Sequence, residues 1–340
     1  VNLGRTDNAY TPLHCASHKN CPEIIKWLVD NGANIDCTTS DNGQTPLIQA
    51  SLCGSNEAVA ILLEMGANVH LGTTVDSFTP LHCASHKNCP EIIKWLVDNG
   101  ANIDCTTSDN GQTPLIQASL CRSNEAVAIL LEMGANVHLG MTVHSFTPLH
   151  CAAQKNYPEI VGMLVAKGAN IDCTTTIEGR TPLFEASLNG ATDAVKILLE
   201  MEANVNLGRT DNAYTPLHCA SQKNCPEIIR LLVENGANID CTTSVDGQTP
   251  LYQACVSGFI DAVKILLEMG AYVQLGRTHD AYTPLHCAAK NNYPEIIRLL
   301  VAKGADIDCT TSDDGRTPLH VAAWKGNSKA AMVLLEHGAS

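Results

Sequence analysis

Five histidine–cysteine pairs are the residues in this chain best suited by type to nucleophilic chemistry: His14-Cys15, His82-Cys83, His150-Cys151, His218-Cys219 and His286-Cys287. An imidazole that takes the thiol proton would turn the sulfur into a nucleophile. The spacing defeats that pairing. Adjacent residues of a helix point about 100° apart and cannot align as base and nucleophile. A second set, Asp36, His70, Asp104, His138 and Asp172, continued by Asn206, Asp240, Gln274 and Asp308, offers metal-ligand types every 34 residues. Ligands of one ion must lie within a few ångströms of each other. Stacked helices stand about 10 Å apart, so neighbours in such a row cannot share an ion. The row reads as polar loop positions braced by hydrogen bonds. No phosphate-binding glycine loop, zinc knuckle or nucleophile elbow is present. These residues predict a protein that is not an enzyme and takes no metal and no cofactor.

The same interval governs the elements that carry them. Thr-Pro-Leu begins at Thr11, Thr45, Thr79, Thr113, Thr147, Thr181, Thr215, Thr249, Thr283 and Thr317. A fixed period of this size marks a stacked array in which each unit touches only its neighbours. In the unit from Asn8 to Asp41, Thr11 suits a helix N-cap and Pro12 the first helical position. Leu13, Ala16 and Ser17 keep one face small, and Asn20 and Cys21 break the run. Pro22 opens a second helix, with Glu23 where the dipole favours acid. Ile24, Ile25, Trp27, Leu28 and Val29 supply its apolar face. Trp27 and Trp95 are expected in the core, because Ile61, Met163 and Leu231 fill the same slot elsewhere. Gly32 ends the helix. The polar stretch 34–42, with Ile35 and Cys37 alternating, predicts a hairpin-like arm. Helices this short are not stable alone in water, so the apolar faces must be buried against the next unit.

Thr11-Pro12-Leu13-His14-Cys15-Ala16, followed by Pro22-Glu23-Ile24-Ile25 and Gly32-Ala33-Asn34, resembles the ankyrin repeat. The final unit is closer still, with Gly315-Arg316-Thr317-Pro318-Leu319-His320-Val321-Ala322-Ala323, then Gly326 and Leu334-Leu335-Glu336-His337-Gly338-Ala339. The resemblance covers essentially the whole chain. It implies an all-α fold, an ankyrin-repeat solenoid of stacked helix-turn-helix units with hairpin-like loops. A single array is expected over residues 1–340. Residues 1–7 would end a preceding repeat, followed by repeats 8–41, 42–75, 76–109, 110–143, 144–177, 178–211, 212–245, 246–279, 280–313 and a truncated 314–340. Two departures stand out. The period is one residue longer than the family's usual 33. Ile48, Ile116, Phe184 and Tyr252 also replace the motif histidine. That histidine braces the loop in the family, so its apolar replacement implies bracing by packing.

Units alternate in type, and residues 11–78 differ from 79–146 only at Gly54/Arg122, Thr73/Met141 and Asp76/His144. The building block is therefore a two-repeat module. Val1 to Thr6 matches Val205 to Thr210, the tail of an even unit, and the first unit lacks a polar outer face. Further repeats before residue 1, or another molecule stacked there, are expected.

There are 35 acidic and 21 basic side chains, for a formal charge of -14. That balance disfavours nucleic acid. No apolar run approaches the roughly 20 residues of a membrane span. Sixteen cysteines are present without a C-x-x-C. Most recur 68 residues apart, as Cys15, Cys83, Cys151, Cys219 and Cys287, and as Cys37, Cys105, Cys173, Cys241 and Cys309. That puts them near 20 Å apart by helix packing, beyond disulfide reach of about 7 Å. Cys37, Cys105 and Cys173 alternate with Leu71, Leu139 and Leu207, so the slot is apolar. Reduced, buried thiols in a reducing compartment, the cytoplasm, are expected.

Two rows are candidates for partner binding. Tyr10, Phe78, Phe146, Tyr214 and Tyr282 precede Thr-Pro-Leu in the odd units. The resemblance places them at the loop edge of the concave surface, where they either bind a partner or pack on a neighbouring loop. The second row ends the first helices: His18 and Lys19, Leu52 and Cys53, His86 and Lys87, Leu120 and Cys121, Gln154 and Lys155, Leu188 and Asn189, Gln222 and Lys223, Val256 and Ser257, Lys290 and Asn291, Trp324 and Lys325. Its variation in charge and size suits recognition. The expected function is a non-catalytic scaffold that binds another protein on its concave surface. The alternative is a structural protein whose modules stack on further copies of itself, end to end, into a filament or tether.

Overall fold

The computed structural model describes residues 2–4 and 8–340. The segment 1–7, expected to close a preceding repeat, lies outside the described residues at 1 and 5–7. The chain divides into two compact units, Val1–Ala152 with Tyr157–Asn170, and Ala153–Asn156 with Ile171–Ser340.

Twenty helices and no strand occur among the described residues. They come in pairs, one pair per repeat. The first five pairs are α1 (Pro12–His18) and α2 (Pro22–Asp30), α3 (Pro46–Cys53) and α4 (Asn56–Glu64), α5 (Pro80–His86) and α6 (Pro90–Asp98), α7 (Pro114–Leu120) and α8 (Asn124–Glu132), α9 (Pro148–Gln154) and α10 (Pro158–Ala166). The second five are α11 (Pro182–Leu188) and α12 (Thr192–Glu200), α13 (Pro216–Gln222) and α14 (Pro226–Glu234), α15 (Pro250–Ser257) and α16 (Ile260–Glu268), α17 (Pro284–Lys290) and α18 (Pro294–Ala302), α19 (Pro318–Lys325) and α20 (Ser328–Glu336). Within each unit the first helix of a repeat packs on the first helix of the next, and second helix packs on second helix. Leu47, Ile48, Ala58, Val59 and Leu62 are wholly buried in these layers. Each Leu or Ile so buried contributes about 1.5–3 kcal/mol, which two-turn helices cannot obtain alone.

The alternation of odd and even units has a local cause. Four N–H groups at a helix start lack partners within the helix. In odd repeats the second helix opens with a proline, Pro22, Pro90, Pro158, Pro226 or Pro294, which removes one donor. Even repeats open on Asn56, Asn124, Thr192, Ile260 or Ser328 and keep it. There the preceding repeat supplies a cap. Asn20 accepts from the Ala58 N–H at 2.9 Å, Asn88 from Ala126 at 2.9 Å, and Asn224 from Ala262 at 3.1 Å. The Asn20 and Asn88 amides also donate to Glu57 and Glu125.

The arms are hairpin-like. Thr39 N–H donates to the Gln44 carbonyl at 3.0 Å, and Gln44 N–H to Thr39 Oγ1 at 3.0 Å. Successive arms join through one backbone bond, as from Ser40 to Asn8 at 2.9 Å and Thr74 to Asn42 at 2.9 Å. The Asp row braces the turns that follow. Asp36 accepts from Asn68 N–H, Asp104 from Asn136, Asp172 from Asn204 and Asp240 from Tyr272, all at 2.9–3.0 Å.

Two expectations about the core need correction. Trp27 is 65% exposed and Trp95 half-buried, so neither is a core residue. Trp95 lies against Ala60 and Leu63 of the preceding second helix, whereas no such helix precedes Trp27 among the described residues. The same reason applies to Ile24, 44% exposed where Ile92 is wholly buried. Nor are all thiols hidden. Cys83, Cys151, Cys219, Cys255 and Cys287 are buried, but Cys15 and Cys53 are exposed and the rest half-buried. No disulfide joins any of the sixteen.

Candidate protein-binding surface

The odd-unit histidines are structural. The Thr11 N–H donates to His14 Nδ1 at 3.2 Å, which leaves Nε2–H to donate to the Gln44 carbonyl at 2.9 Å. His82, His218 and His286 make the same two bonds, reaching Gln112, Gln248 and Arg316. Burial holds all four imidazoles below their usual value, His218 at about 4. In the even units Ile48, Ile116, Phe184 and Tyr252 are buried in the corresponding slot, and Thr45 Oγ1 caps the Ile48 N–H at 3.2 Å.

A thiol does stand near each bracing imidazole, but it comes from the arm. Cys37 Sγ lies 3.3 Å from Thr11 Oγ1 and 3.8 Å from His14 Nδ1. Burial pushes the Cys37 thiol up and the imidazole down. Both changes favour the neutral pair over thiolate and imidazolium, so this geometry does not activate the sulfur.

The aromatic row is half-buried throughout. Tyr10 and Tyr282 stack on His14 and His286 with centroids 5.0 Å apart, Phe78 on His82 and Phe146 on His150 at 5.0 Å, and Tyr214 on His218 at 4.8 Å. The hydroxyl of Tyr10 donates to the His14 carbonyl at 3.4 Å. These rings pack on their own repeat's brace.

The helix-end row is open. His18, Lys19, His86 and Lys87 are exposed in the first unit. In the second unit Lys155, Gln222, Lys223 and Trp324 are exposed and Gln154 is half-buried. His86 is the most engaged, accepting from Gln117 at 3.1 Å with Cys121 Sγ at 3.0 Å. Leu52, Leu120 and Leu188 are half-buried.

Sequence reasoning missed a third exposed set at the arm tips. Val75 and Val143 in the first unit, and Ile177 and Val245 in the second, stand largely in solvent. The signal was a β-branched residue inside an otherwise polar turn. It also missed a hollow of about 480 Å³ in the second unit. Tyr252, Tyr282 and Trp324 line it beside Arg277, Lys290, Arg316 and Lys325. Arg277 is held by Asp280, and Arg316 by Asp314 at 2.7 Å.

No helix among the described residues is long and apolar enough to cross a membrane. A family model described as ankyrin repeats (3 copies) matches residues 1–73, 68–141, 149–243, 207–278, 238–311 and 274–340. The crystal structure of the human ASB11 ankyrin repeat domain is similar at 32% identity and a TM-score of 0.60. That match covers 67% of this chain and 99% of the other. No curated protein matches the chain. With family matches running from one end to the other, the chain belongs to the ankyrin repeat family.

Proposed function

We propose that this chain is a non-catalytic scaffold that holds a partner protein on its concave side, made by the ends of the first helices and the edges of the arms. The observation that carries this reading is the helix-end row. Lys19, Lys87, Lys155 and Lys223 recur and stay exposed, beside a slot that holds the exposed His18, His86 and Gln222 in odd repeats and the exposed Trp324 in the last repeat, while the slots beneath them are nearly constant. Rigid backbone beneath variable side chains lowers the ordering cost of binding. The aromatic row Tyr10, Phe78, Phe146, Tyr214 and Tyr282 supports that surface from below. End-to-end assembly of copies draws no support from the family match. Exposed thiols at Cys15 and Cys53 fit a reducing compartment such as the cytoplasm.

The test compares two variants of equal charge. One carries Lys87→Glu, Lys155→Glu and Lys223→Glu on the helix-end row. The other carries Lys26→Glu, Lys94→Glu and Arg230→Glu on exposed positions of second helices. Proteins cross-linked to the chain in its native cells are identified for each. Loss of a bound protein from the first variant alone supports the reading, and equal recovery by both sinks it.

A further inference from the structure

The hollow of about 480 Å³ in the second unit falls within the usual size of a ligand site. It draws on three consecutive repeats, and the period supplies an internal control. Six repeats earlier, the slots of Tyr252, Arg277, Tyr282, Lys290, Arg316, Trp324 and Lys325 hold Ile48, Thr73, Phe78, His86, Gln112, Leu120 and Cys121. The hollow there is about 250 Å³ and is lined from two repeats only, between Asn42 and Cys83, without His86, Gln112, Leu120 or Cys121. The later copy has thus gained four cations and a tryptophan in register with one another.

Its charges are not all satisfied. Arg277 is paired with the buried Asp280, and Arg316 with Asp314. Their guanidinium groups lie over aromatic faces, Arg277 at 5.3 Å from the Tyr282 centroid and Arg316 at 5.1 Å from Trp324. Lys290 also sits over Tyr282, at 5.9 Å. Neither the Lys290 nor the Lys325 ammonium has a carboxylate partner among the described residues. The rim aspartate Asp313 accepts the Asp314 N–H at 2.9 Å. Trp324 stands 73% exposed beside them. Two ammonium groups without a carboxylate partner next to an exposed aromatic face, in a chain of charge -14, form a local exception to the surrounding field.

We propose that this hollow captures a segment of the partner protein in which one aspartate or glutamate stands beside an apolar side chain. The inference rests on the scaffold reading and names what one part of that surface takes. The carboxylate meets Lys290 and Lys325, and the apolar neighbour lies on Trp324. Charge-assisted bonds of this kind are stronger than neutral ones, and an aromatic anchor beside them is the usual make-up of a binding hot spot. A run of acids is disfavoured, because Asp280, Asp313 and Asp314 line the same hollow and would face the second carboxylate.

The experiment uses the whole chain and three pools of fluorescein-labelled peptides. Each pool has a fixed leucine followed by Glu, Gln or Lys, with uncharged residues randomised around the pair. Fluorescence anisotropy at physiological salt reads affinity. The Glu pool is expected to bind about ten-fold more tightly than the Gln pool, with the Lys pool weakest. The double variant Lys290→Gln, Lys325→Gln erases the difference between Glu and Gln, Lys290→Arg with Lys325→Arg restores it, and Trp324→Leu weakens every pool. Both lysines are exposed, and an unchanged far-UV spectrum and urea midpoint confirm the fold. Equal binding of Glu and Gln pools, no binding by any pool, or a preference that survives the double variant overturns the inference. The cross-linking comparison above stands or falls separately, because it reads Lys87, Lys155 and Lys223 and not this hollow.

Discussion

The Nε2 nitrogen of His14 stands 2.9 Å from the carbonyl oxygen of Gln44, thirty residues further along the chain. That carbonyl already accepts the Thr39 N–H of its own arm. One oxygen thus ties an arm closed and fastens it to the preceding repeat. His82 does the same for Gln112 at 2.9 Å, and His82 is wholly buried. Replacing His82 by Ala strips the Thr79 N–H of its acceptor and leaves a void. An unsatisfied buried group costs about 1–3 kcal/mol, and the void adds to it. His82→Ala should therefore lose about 3 kcal/mol in urea unfolding followed by circular dichroism. His82→Ile, which copies Ile48 and Ile116, refills the volume and should lose about half as much. Equal losses for the two would mean that hydrogen bonding, and not packing, holds this slot.

The same bonds set a pH dependence. Protonating Nδ1 removes the acceptor for the threonine N–H, and burial opposes the charge. A folded pKa below the unfolded value of 6.5 means that the unfolded chain binds more protons between the two. Stability then rises with pH across that window, is fully present above 6.5, and falls as pH drops toward the folded value. For His218 that value is about 4, and the difference is worth about 3 kcal/mol. His14, His82 and His286 shift in the same direction. The urea midpoint should decline from pH 6.5 to pH 4. A variant with Ile at positions 82 and 218 should decline less steeply over the same range. Carboxylates such as Asp280, whose pKa is lowered, lose their contribution only below about 3.8. A midpoint flat from pH 7 to pH 4 would contradict the brace.

Helix starts were legible because Thr-Pro-Leu and the second-helix prolines announce them, as at Pro12 and Pro22. Burial was less so. Trp27 reads as core by its slot, yet what covers that slot at Trp95 is the preceding repeat's second helix, which the composition of its own repeat does not report. Asn20 reads as a turn residue. That it caps Ala58, in the next repeat, follows only once the stacking distance brings the two together. The binding row was legible from its variation alone, since variation needs no geometry. The hollow at Trp324 was not, because it depends on slots from three repeats changing in concert, and no single slot is unusual.

The near-identity of residues 11–78 and 79–146 permits a reciprocal test. Gly54 and Arg122 occupy the same turn, with φ of 66° and 58°. Glycine takes this left-handed conformation without strain, whereas a side chain costs about 1 kcal/mol there. Arg122 recovers part of that cost by lying 5.9 Å from the Tyr157 centroid. Arg122→Gly should raise unfolding free energy by roughly 0.5–1 kcal/mol, and Gly54→Arg should lower it by about 1 kcal/mol. Changes of the same sign in the two modules would show that something other than this turn sets the difference.

A second departure from the period carries a sharper consequence. Gln44, Gln112 and Gln248 recur one residue before Thr-Pro-Leu, with Gln49, Gln117 and Gln253 five residues on. In repeat 178–211 the pair becomes Arg180 and Glu185, joined at 3.2 Å. The Glu185 side chain is only 2% exposed, and Gln154 donates to its other oxygen at 3.4 Å. Removing one partner of a buried ion pair leaves a charge that the interior cannot solvate, whereas exchanging both for a neutral pair is often nearly free. Arg180→Gln alone should therefore cost about 3 kcal/mol. Glu185→Gln alone should cost less, because Arg180 keeps Glu178 beside it. The double variant, which recreates the Gln–Gln pair of three other even repeats, should return to within about 1 kcal/mol of the parent. A double-mutant cycle reads the coupling directly. Additive losses, with the double variant worse than either single one, would mean that the charges act independently and that the register between repeats does not dictate the chemistry of this slot.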